Sequence, residues 1–357
     1  MSKITTLLVV IIVILIIVVI LLLYQLNANS TQYKNGSTLA STSTALSTTS
    51  LNVNATGSSG TSNCYHCTYV TELNGDKISI INTSSNEVIK NITVGSNPYY
   101  VAVTPDGAYA YVVNYGSNTV TVINTTTNKI TDIIKVGAYP VSLAFAPDGA
   151  YAYVANPDSN TIGIINTTTN ELVSSISVGA GPYYIAFAPD GAYAYAADSN
   201  SDAVSIVNTT MNKVVGSIAF SSAPLSITFT PNGADAYVTG PDGDTVSVIN
   251  TTTNKVVSSI NLGTISYYGA IEPNGAYAYF TEPLADIVGV VNVSTNRVVS
   301  NITVRGDPYD IAITSNGAYA YVTDPSSNNI SVINTSTNMV IENITFNSGQ
   351  FAIAIAH

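Results

Sequence analysis

The sequence predicts an all-β fold: a seven-bladed β-propeller of 42-residue, four-stranded repeats, closed by the C-terminal strand and preceded by one transmembrane helix. Three observations carry this prediction. A short phrase returns at a constant interval along the chain. Each repeat contains four runs of alternating residues bounded by turn residues. The two chain ends are incomplete in complementary ways.

The repeat is visible in the phrase INTTTN and its variants, which returns without any insertion. Its first asparagine falls, always 42 residues apart, at Asn82, Asn124, Asn166, Asn208, Asn250, Asn292 and Asn334. A turn of the form Pro-Asp-Gly or Pro-Asn-Gly keeps the same spacing through most of the chain. A period of roughly 40 to 45 residues is the size of one propeller blade.

Each repeat contains four candidate strands, such as YYVAVTP, AYAYVVN, TVTVIN and KITDIIKVG. Alternating or β-branched residues bounded by Gly, Pro, Asp and Asn predict strands joined by tight turns. The Ala-Tyr-Ala-Tyr runs, such as the one with Tyr109 and Tyr111, put two rings on one strand face. We interpret these tyrosines as packing between neighbouring blades.

The chain ends predict how the ring closes. In repeat register, residues 67 to 70 match a second strand, whereas residues 350 to 355 match a first strand. Residues 64 to 357 number 294, which is seven times 42. An open solenoid is the rival architecture, but its terminal repeats are expected to be polar caps, and these are not. We therefore expect the C-terminal strand to complete the first blade.

Two segments precede the repeats. Leu7 to Leu23 are seventeen consecutive Leu, Ile and Val residues, which predicts an anchor over residues 1–24 that enters the membrane through residues 4–24. A cleaved secretory signal is the alternative. Residues 25–63 contain seventeen Ser or Thr and no acidic residue, which is typical of a flexible linker. Residues 64–357 form the predicted propeller.

The second strands carry a recurring motif. It reads YVTE at Tyr69, YVVN at Tyr111, YVAN at Tyr153, YVTG at Tyr237 and YVTD at Tyr321. Together with INTTTN, these phrases resemble the YVTN-type β-propeller repeat family over residues 64–357. Members include archaeal surface-layer and cell-surface proteins, so the resemblance implies a cell-surface location. Together with the anchor predicted over residues 1–24, we expect a single-pass protein of the cell membrane with an extracellular propeller. The resemblance implies no particular reaction, because propellers host many functions.

Charge excludes one class of partner. Only 9% of residues are charged and the formal net charge is -11, which is the opposite of the basic footprint that nucleic acids require. Neutral Ser, Thr, Asn and Tyr supply most of the polarity, and such groups do not change when carboxylates are protonated. One hypothesis is therefore an acidic external habitat. No motif predicts a cofactor.

N-glycosylation sequons are frequent in the predicted propeller. Asn followed by Thr is also good turn chemistry without any sugar, but turns on one face of a ring tolerate glycans. The predicted sites are Asn82, Asn91, Asn124, Asn166, Asn208, Asn250, Asn292, Asn301, Asn329, Asn334 and Asn343.

The two cysteines and two histidines are expected to meet where the ring closes. A disulfide between Cys64 and Cys67 suits an oxidising exterior. A zinc clasp made by Cys64, His66, Cys67 and His357 is a second interpretation. Free thiols are the third. Without a second cysteine pair elsewhere, we predict no metal site and favour the disulfide.

An enzyme or small-ligand site on this ring would be expected near the central channel, where the repeat pattern is broken. The candidate residues there are Tyr267, Tyr268, Glu272, Arg305, Asp307 and Asp310. No histidine occurs between His66 and His357, so the commonest general base is missing from the repeats. We expect a cell-surface binding, adhesion or scaffold protein that contacts other surface proteins or glycans and is not an enzyme. The alternative is a lactonase-like hydrolase or small-ligand binder that acts through the channel.

Overall fold

The computed structural model describes residues 67–240 and 243–356, which all belong to one unit, Gly60–His357. These residues form seven antiparallel sheets of four strands each. The seven-bladed propeller predicted from the repeats is thereby confirmed. No helix within the described ranges has the length and apolar character needed to cross a bilayer. The predicted anchor (1–24) and linker (25–63) lie outside the described residues.

The blades are numbered along the chain. Blades 1 to 4 contain β28 (Gln350–Ile355), β1 (Cys67–Glu72), β2 (Lys77–Asn82) and β3 (Glu87–Thr93); β4 (Pro98–Val103), β5 (Tyr109–Asn114), β6 (Thr119–Asn124) and β7 (Lys129–Lys135); β8 (Ser142–Phe145), β9 (Tyr151–Asn156), β10 (Thr161–Asn166) and β11 (Glu171–Ser177); and β12 (Pro182–Phe187), β13 (Tyr193–Asp198), β14 (Ala203–Asn208) and β15 (Lys213–Ala219). Blades 5 to 7 contain β16 (Ser226–Phe229), β17 (Asp235–Thr239), β18 (Thr245–Asn250) and β19 (Lys255–Asn261); β20 (Gly269–Ile271), β21 (Tyr277–Glu282), β22 (Ile287–Asn292) and β23 (Arg297–Thr303); and β24 (Ile311–Ile313), β25 (Tyr319–Asp324), β26 (Asn329–Asn334) and β27 (Met339–Thr345). Four 3-10 turns, Leu73–Gly75, Pro157–Ser159, Ser199–Ser201 and Pro283–Ala285, follow second strands.

Burial changes from the channel to the rim of each blade. The second and third strands are buried along most of their length, as in β5 and β6, whereas the outer strand β7 is mostly exposed. Every outer strand also contains an irregularity where its register with the third strand shifts, for example between Val122 and Ile123. Such bulges bend an exposed edge and discourage pairing with other chains.

The ring closes as the chain ends predict. Strand β28 pairs antiparallel with β1, with Thr68 opposite Ile355 and Val70 opposite Ile353. Inner strand β28 also contacts β4 on one side and β24 on the other, so the inner strands form an unbroken circle. We call this junction of blades 7 and 1 the closing seam. It rules out the open solenoid.

A hydrogen bond between adjacent blades is repeated seven times. The second tyrosine of each Tyr-x-Tyr phrase, or its equivalent, is fully buried and donates its hydroxyl to the last asparagine of the INTTTN phrase in the next blade. The pairs are Tyr69–Asn128, Tyr111–Asn170, Tyr153–Asn212, Tyr195–Asn254, Tyr237–Asn296, Tyr279–Asn338 and, across the closing seam, Tyr321–Asn86. We call each pair a clasp.

Backbone conformation explains why asparagine makes the clasp. Asn128 has φ 50° and its six equivalents have similar positive values, a region that asparagine tolerates better than most residues. The first tyrosine of each phrase behaves differently, however. Tyr151, for example, is 42% exposed. The expectation that both rings pack between blades was therefore wrong for the first one, which lies where the strand leaves the interface.

Candidate binding site at the channel mouth

The antiparallel order of strands gives the propeller two different faces. Turns between first and second strands and between third and fourth strands share one face, which we call the turn face. Loops between second and third strands, and loops that lead into the next blade, share the other. We call this second face the mouth face, because the first strands enter the channel from it.

Aromatic side chains surround the channel at the mouth face. One position, repeated at the start of every first strand, is aromatic in five blades and apolar in the other two. Its occupants are Tyr99, Val141, Tyr183, Leu225, Tyr267, Tyr309 and Phe351. Phe351 packs between Tyr99 and Tyr309, with ring centroids 4.7 and 4.1 Å apart. Tyr267 lies 5.7 Å from Tyr309 in an edge-to-face arrangement.

Three tyrosine hydroxyls from different blades meet in the channel. The hydroxyl of Tyr99 bonds to that of Tyr183 and lies 3.1 Å from that of Tyr309. The Tyr183 and Tyr309 hydroxyls are 3.3 Å apart. Burial is the main cause that raises the pKa of Tyr99 and Tyr309 well above the ordinary value for tyrosine. The three phenols therefore stay neutral and bond to one another across the channel.

A second layer lies directly beneath these rings. Tyr100 and Tyr184 are 5.9 Å apart edge to face, their hydroxyls are 3.1 Å apart, and Tyr184 packs on Tyr268 at 5.8 Å. Asp310 belongs to the same layer. Its carboxyl oxygens accept hydrogen bonds from the backbone amides of Ile311 at 2.8 Å and Ile353 at 3.0 Å. Burial raises its pKa to about 7.

Below the two aromatic layers, the channel wall is made of small side chains. The next inward position is alanine in six blades and threonine in one: Ala102, Ala144, Ala186, Thr228, Ala270, Ala312 and Ala354. A cavity of about 230 Å³ lies here between β4, β24 and β28, lined by residues that include Tyr100, Ala312 and Ile353. The tyrosines therefore cover a channel that is otherwise lined by small apolar groups.

A larger cavity, of about 450 Å³, lies at the closing seam on the turn face. Its described lining includes Asn86, Thr314, Ser315 and Tyr319, all of them neutral. Among the described residues, no group of three or more metal-ligating side chains exists there or elsewhere. This cavity adjoins a clasp, and we assign it no ligand.

The aromatic cluster extends from the channel onto the surface of the mouth face. Tyr115 lies 5.9 Å from Tyr99, and Tyr139 lies 5.0 Å from Tyr115. Tyr115 is 38% exposed and Tyr139 is 43% exposed. We call the series Tyr139, Tyr115, Tyr99, Phe351, Tyr309 and Tyr267 the aromatic stripe.

Tyr139 has a backbone conformation that favours other residues. Its φ is 50°, and the same position in blades 2 and 4 is occupied by Asn97 and Gly181. In all three blades the backbone amide at this position donates to a side chain of the preceding loop, which for Tyr139 is Asn118 at 2.8 Å. A bulky residue in this region is strained, and strain of this kind concentrates at functional sites.

Buried polar groups end the second strands just beneath the mouth face. This repeated position is Glu72, Asn114, Asn156, Asp198, Gly240, Glu282 and Asp324. Glu72 pairs with Lys77 at 3.2 Å, the one salt bridge among the described residues. Asp198, Glu282 and Asp324 have no such partner. Each accepts one hydroxyl, from Ser205, Thr264 and Ser331 respectively, and each keeps a second oxygen that is buried without a partner.

Desolvation dominates the ionisation of these three carboxyls. It raises the pKa of Asp198 to about 6, of Glu282 to about 7 and of Asp324 to about 8. Burial without a cation favours the neutral acid, which can also donate a hydrogen bond. Glu72 differs from these three carboxyls because it has a cationic partner, Lys77.

The structure brings some of the predicted channel residues together and separates others. Tyr267, Tyr268 and Asp310 join the aromatic layers. Arg305 and Asp307 are exposed in the loop that leads into blade 7. Glu272 is buried at the other end of β20, on the turn face, where it accepts a hydrogen bond from Tyr279 at 3.1 Å. It therefore does not take part in the mouth.

The sequence reasoning missed most of the aromatic mouth. Tyr99, Tyr183, Tyr309 and Phe351 were not predicted, although an aromatic pair or its remnant recurs in NPYYVAV, GPYYIAF, ISYYGAI and DPYDIAI. These aromatic residues belong to the repeat pattern, whereas charged residues such as Arg305 and Asp307 depart from it. Comparison of the seven first strands by position would have identified the aromatic layer.

The turn asparagines keep their predicted status as glycosylation sites. Asn124 illustrates the geometry: its Oδ1 accepts from the backbone amide of Thr127 at 2.9 Å, so the turn uses the oxygen rather than the nitrogen that carries a glycan. Asn329 differs, because it is only 7% exposed and its amide nitrogen donates to Ser327 at 3.2 Å. We no longer expect a glycan at Asn329 in the folded protein.

The predicted cysteine and histidine cluster is only partly within the described residues. Cys67 is fully buried at the start of β1, whereas Cys64, His66 and His357 lie outside the described ranges. The Cys64–Cys67 disulfide stays a prediction, and the zinc clasp stays its alternative.

Comparisons with known proteins agree with this architecture. Residues 37–354 match the model of the YNCE-like beta-propeller family, and the chain belongs to that family. No curated protein matches the sequence. Among solved structures, hydrazine synthase of Kuenenia stuttgartiensis is similar, with a TM-score of 0.70, 24% identity, and coverage of 75% of this chain and 92% of that one.

Two further structures are similar at lower identity. A functionally unknown protein of Desulfotomaculum acetoxidans has a TM-score of 0.74 at 17% identity, covering 82% of this chain and 99% of that one. A protein of Bacteroides uniformis proposed to be a 6-phosphogluconolactonase has a TM-score of 0.70 at 18% identity, covering 81% and 98%. At such identities the likeness concerns the fold alone.

Proposed function

We propose that this member of the YNCE-like beta-propeller family is an extracellular, membrane-anchored binding or scaffold protein whose mouth face recognises other components of the cell surface. The observation that carries the proposal is the group of aromatic side chains around the channel at the mouth face. Its phenols are neutral and bond to one another, and its one buried carboxyl, Asp310, is held by two backbone amides. Such a surface can bind by packing and hydrogen bonding.

Catalysis fits this site less well. A hydrolase needs a positioned general base or nucleophile with room for substrate beside it. The described channel offers Asp310, whose oxygens are already engaged, above a cavity of about 230 Å³. The proposal therefore treats the lactonase-like activity as the alternative, which has only the shared fold in its favour.

The anchor and the sequons support the location. The seventeen apolar residues from Leu7 to Leu23 suit a bilayer span, and asparagine side chains in exposed turns suit glycosylation outside the cell. Both features come from the sequence. Intact-mass measurement before and after enzymatic deglycosylation tests the second of them, and an unmodified mass would contradict it.

Two measurements test the proposed function. Intact cells are treated with a membrane-impermeant crosslinker, and the products that contain this chain are identified by mass spectrometry. We expect the propeller to be labelled and joined to surface proteins or glycans. A propeller that is labelled only after cell lysis would overturn the location.

The second measurement addresses the alternative. The full-length protein is assayed with a panel of lactones and esters, beside an Ala312→Phe variant that fills the 230 Å³ cavity. We expect no turnover above the protein-free rate in either sample. Turnover that the substitution abolishes would instead establish the channel as a hydrolase site.

A further inference from the structure

The aromatic stripe is open rather than enclosed. Its outer members, Tyr115 and Tyr139, expose about two fifths of their surface and have tilted rings whose centroids are 5.0 Å apart, while its inner members at the channel are partly buried. Small-molecule sites are usually concave and enclose most of the ligand. The aromatic stripe is instead an open row of rings that runs from the surface to the channel. Such a row suits contacts with successive side chains of a polypeptide.

Charge on the mouth face is predominantly negative. Its described loops contain one basic residue, Arg305, and two lysines, Lys77 and Lys135, lie at strand ends that border these loops. The acidic residues of the same loops, all exposed or half-exposed except the buried Asp310, are Asp76, Asp158, Asp202, Asp244, Asp286, Asp307 and Asp310. A surface of this sign attracts cationic partners and repels anionic ones.

Two of these carboxylates flank the stripe. Asp158 is in the 3-10 turn that follows β9 in blade 3, and Asp307 is in the loop that leads into blade 7, two residues before Tyr309. Burial raises the pKa of Tyr115 and of Tyr267; the charge of Asp158 acts in the same direction on Tyr115, as Tyr183 and then Asp307 do on Tyr267. Neither carboxylate has a salt-bridge partner among the described residues. An aromatic face beside an unpaired carboxylate is the environment in which a guanidinium or ammonium group binds best, since it stacks on the ring and pairs with the charge.

We propose that the mouth face docks a basic segment of a partner polypeptide, whose arginine or lysine side chains stack on Tyr115 and Tyr139 and pair with Asp158 and Asp307. This inference rests on the proposed function, because it names the class of partner that the same surface takes. Charge complementarity favours it over a neutral glycan, and the acidic loops exclude nucleic acid. The proposal also gives a reason for the strained Tyr139. Asparagine or glycine would fit the positive φ with less strain, but neither offers a ring on which a cation can stack.

The test uses the full-length protein in a neutral detergent and three probes of similar length. These are a peptide of alternating arginine and glycine, a peptide of alternating glutamate and glycine, and a neutral hexasaccharide. Binding is measured by calorimetry at low and at moderate salt. We expect only the arginine peptide to bind, and we expect its affinity to fall as salt rises, because its charges are screened.

Matched variants locate the binding. Tyr139→Asn introduces the residue that blade 2 carries at this position, and Tyr115→Leu introduces the residue that blade 1 carries. Each is expected to weaken binding about fivefold or more, the size of one desolvated cation–π contact. Asp158→Asn is expected to weaken binding and to reduce its salt dependence. Tyr151→Asn removes an equally exposed ring from the turn face and is the control.

Each outcome decides the inference. Failure of the arginine peptide to bind overturns it, as does equal loss in the Tyr151→Asn control or binding of the hexasaccharide in its place. These results leave the proposed function intact, because surface crosslinking detects a partner of any chemistry. Conversely, a chain that is never found outside the cell would overturn the proposed function even if the peptide binds.

Discussion

The two faces of this propeller obey different rules. On the turn face, most blades repeat the same hydrogen bond between their two turns. Thr125 illustrates it, because its hydroxyl donates to the carbonyl of Gly107 at 2.6 Å and thereby ties two turns of one blade together. The same bond recurs in blades 3, 4, 5 and 7. The seven clasps run through the blade interfaces beside this face.

On the mouth face, the blades diverge. The aromatic position at the mouth-face end of the first strands is tyrosine in blades 2, 4, 6 and 7, phenylalanine in blade 1 and aliphatic in blades 3 and 5. The position that ends each second strand varies among carboxylates, amides and glycine. Repetition on one face indicates a structural demand common to all blades, whereas divergence on the other breaks the symmetry of the ring and allows one specific site.

The largest expected effect comes from opening the ring. Deletion of residues 349–357 removes β28, which pairs with β1 and carries Phe351. Blade 1 then lacks its inner strand, and the faces of blades 7 and 2 that pack on it are exposed to water. We expect the truncated protein to lose its cooperative unfolding transition, measured by circular dichroism during heating. A transition at the wild-type temperature would mean that the blades do not depend on closure.

The next effect is a dependence of stability on pH that reverses ordinary acid denaturation. Asp198, Asp310, Glu282 and Asp324 have folded pKa values raised to between about 6 and 8, above the roughly 4 of an unfolded chain. The folded state therefore binds more protons than the unfolded state between these values. The stability that this proton binding contributes is complete below about pH 4 and is lost as the pH rises through 6 to 8.

Denaturant titrations at pH 4.5, 6.5 and 8.5 measure this dependence. We expect the free energy of unfolding to be highest at pH 4.5. The Asp324→Asn variant, which installs the residue found at Asn114 and Asn156, is expected to show a weaker fall toward pH 8.5. Stability that instead rises with pH would show that these carboxyls are ionised in the folded protein. It would also remove support for an acidic habitat.

A single clasp has a smaller effect. Tyr195→Phe deletes a buried hydroxyl and its bond to Oδ1 of Asn254. Because Asn254 is exposed and water can bond to that oxygen, the expected cost is the net contribution of one hydrogen bond, about 0.5 to 1.5 kcal/mol. Tyr193→Phe, on an exposed ring of the same strand, is the control and is expected to change little. Tyr321→Phe at the closing seam should cost about as much as Tyr195→Phe, since the same bond is lost. A much smaller loss at the seam would indicate a loosely closed ring.

The smallest effect concerns the strained loop of the mouth face. Tyr139→Asn is expected to raise the free energy of unfolding by about 1 kcal/mol, because asparagine tolerates φ near 50° better than tyrosine does. Thermal unfolding measures the change. If Tyr139→Asn stabilises the fold and weakens binding, this residue of the mouth face serves binding rather than stability, unlike the clasp residues. Destabilisation would mean that the Tyr115 contact outweighs the backbone strain.

The architecture could be predicted from local patterns in the sequence. Strand alternation and turn residues are local properties of the sequence. Because the same pattern recurs seven times at a constant spacing of 42 residues, it predicts seven equivalent blades. The complementary ends even identified which strand completes blade 1, because the register of a repeat does not depend on distant contacts. The same periodicity located the turn asparagines, although it did not show that Asn329 is buried.

The candidate site, in contrast, could be located only from the packed blades. Tyr99 and Tyr183 are 84 residues apart, and Tyr99 and Tyr309 are 210 apart, yet their hydroxyls meet because the ring turns their first strands toward one channel. The curvature of the ring, not any local pattern, sets that convergence. Likewise, Glu272 looked like a channel residue in the sequence, but the direction of its strand carries it to the turn face. The ionisation of Asp324 follows from burial, which the chain acquires only when its blades pack.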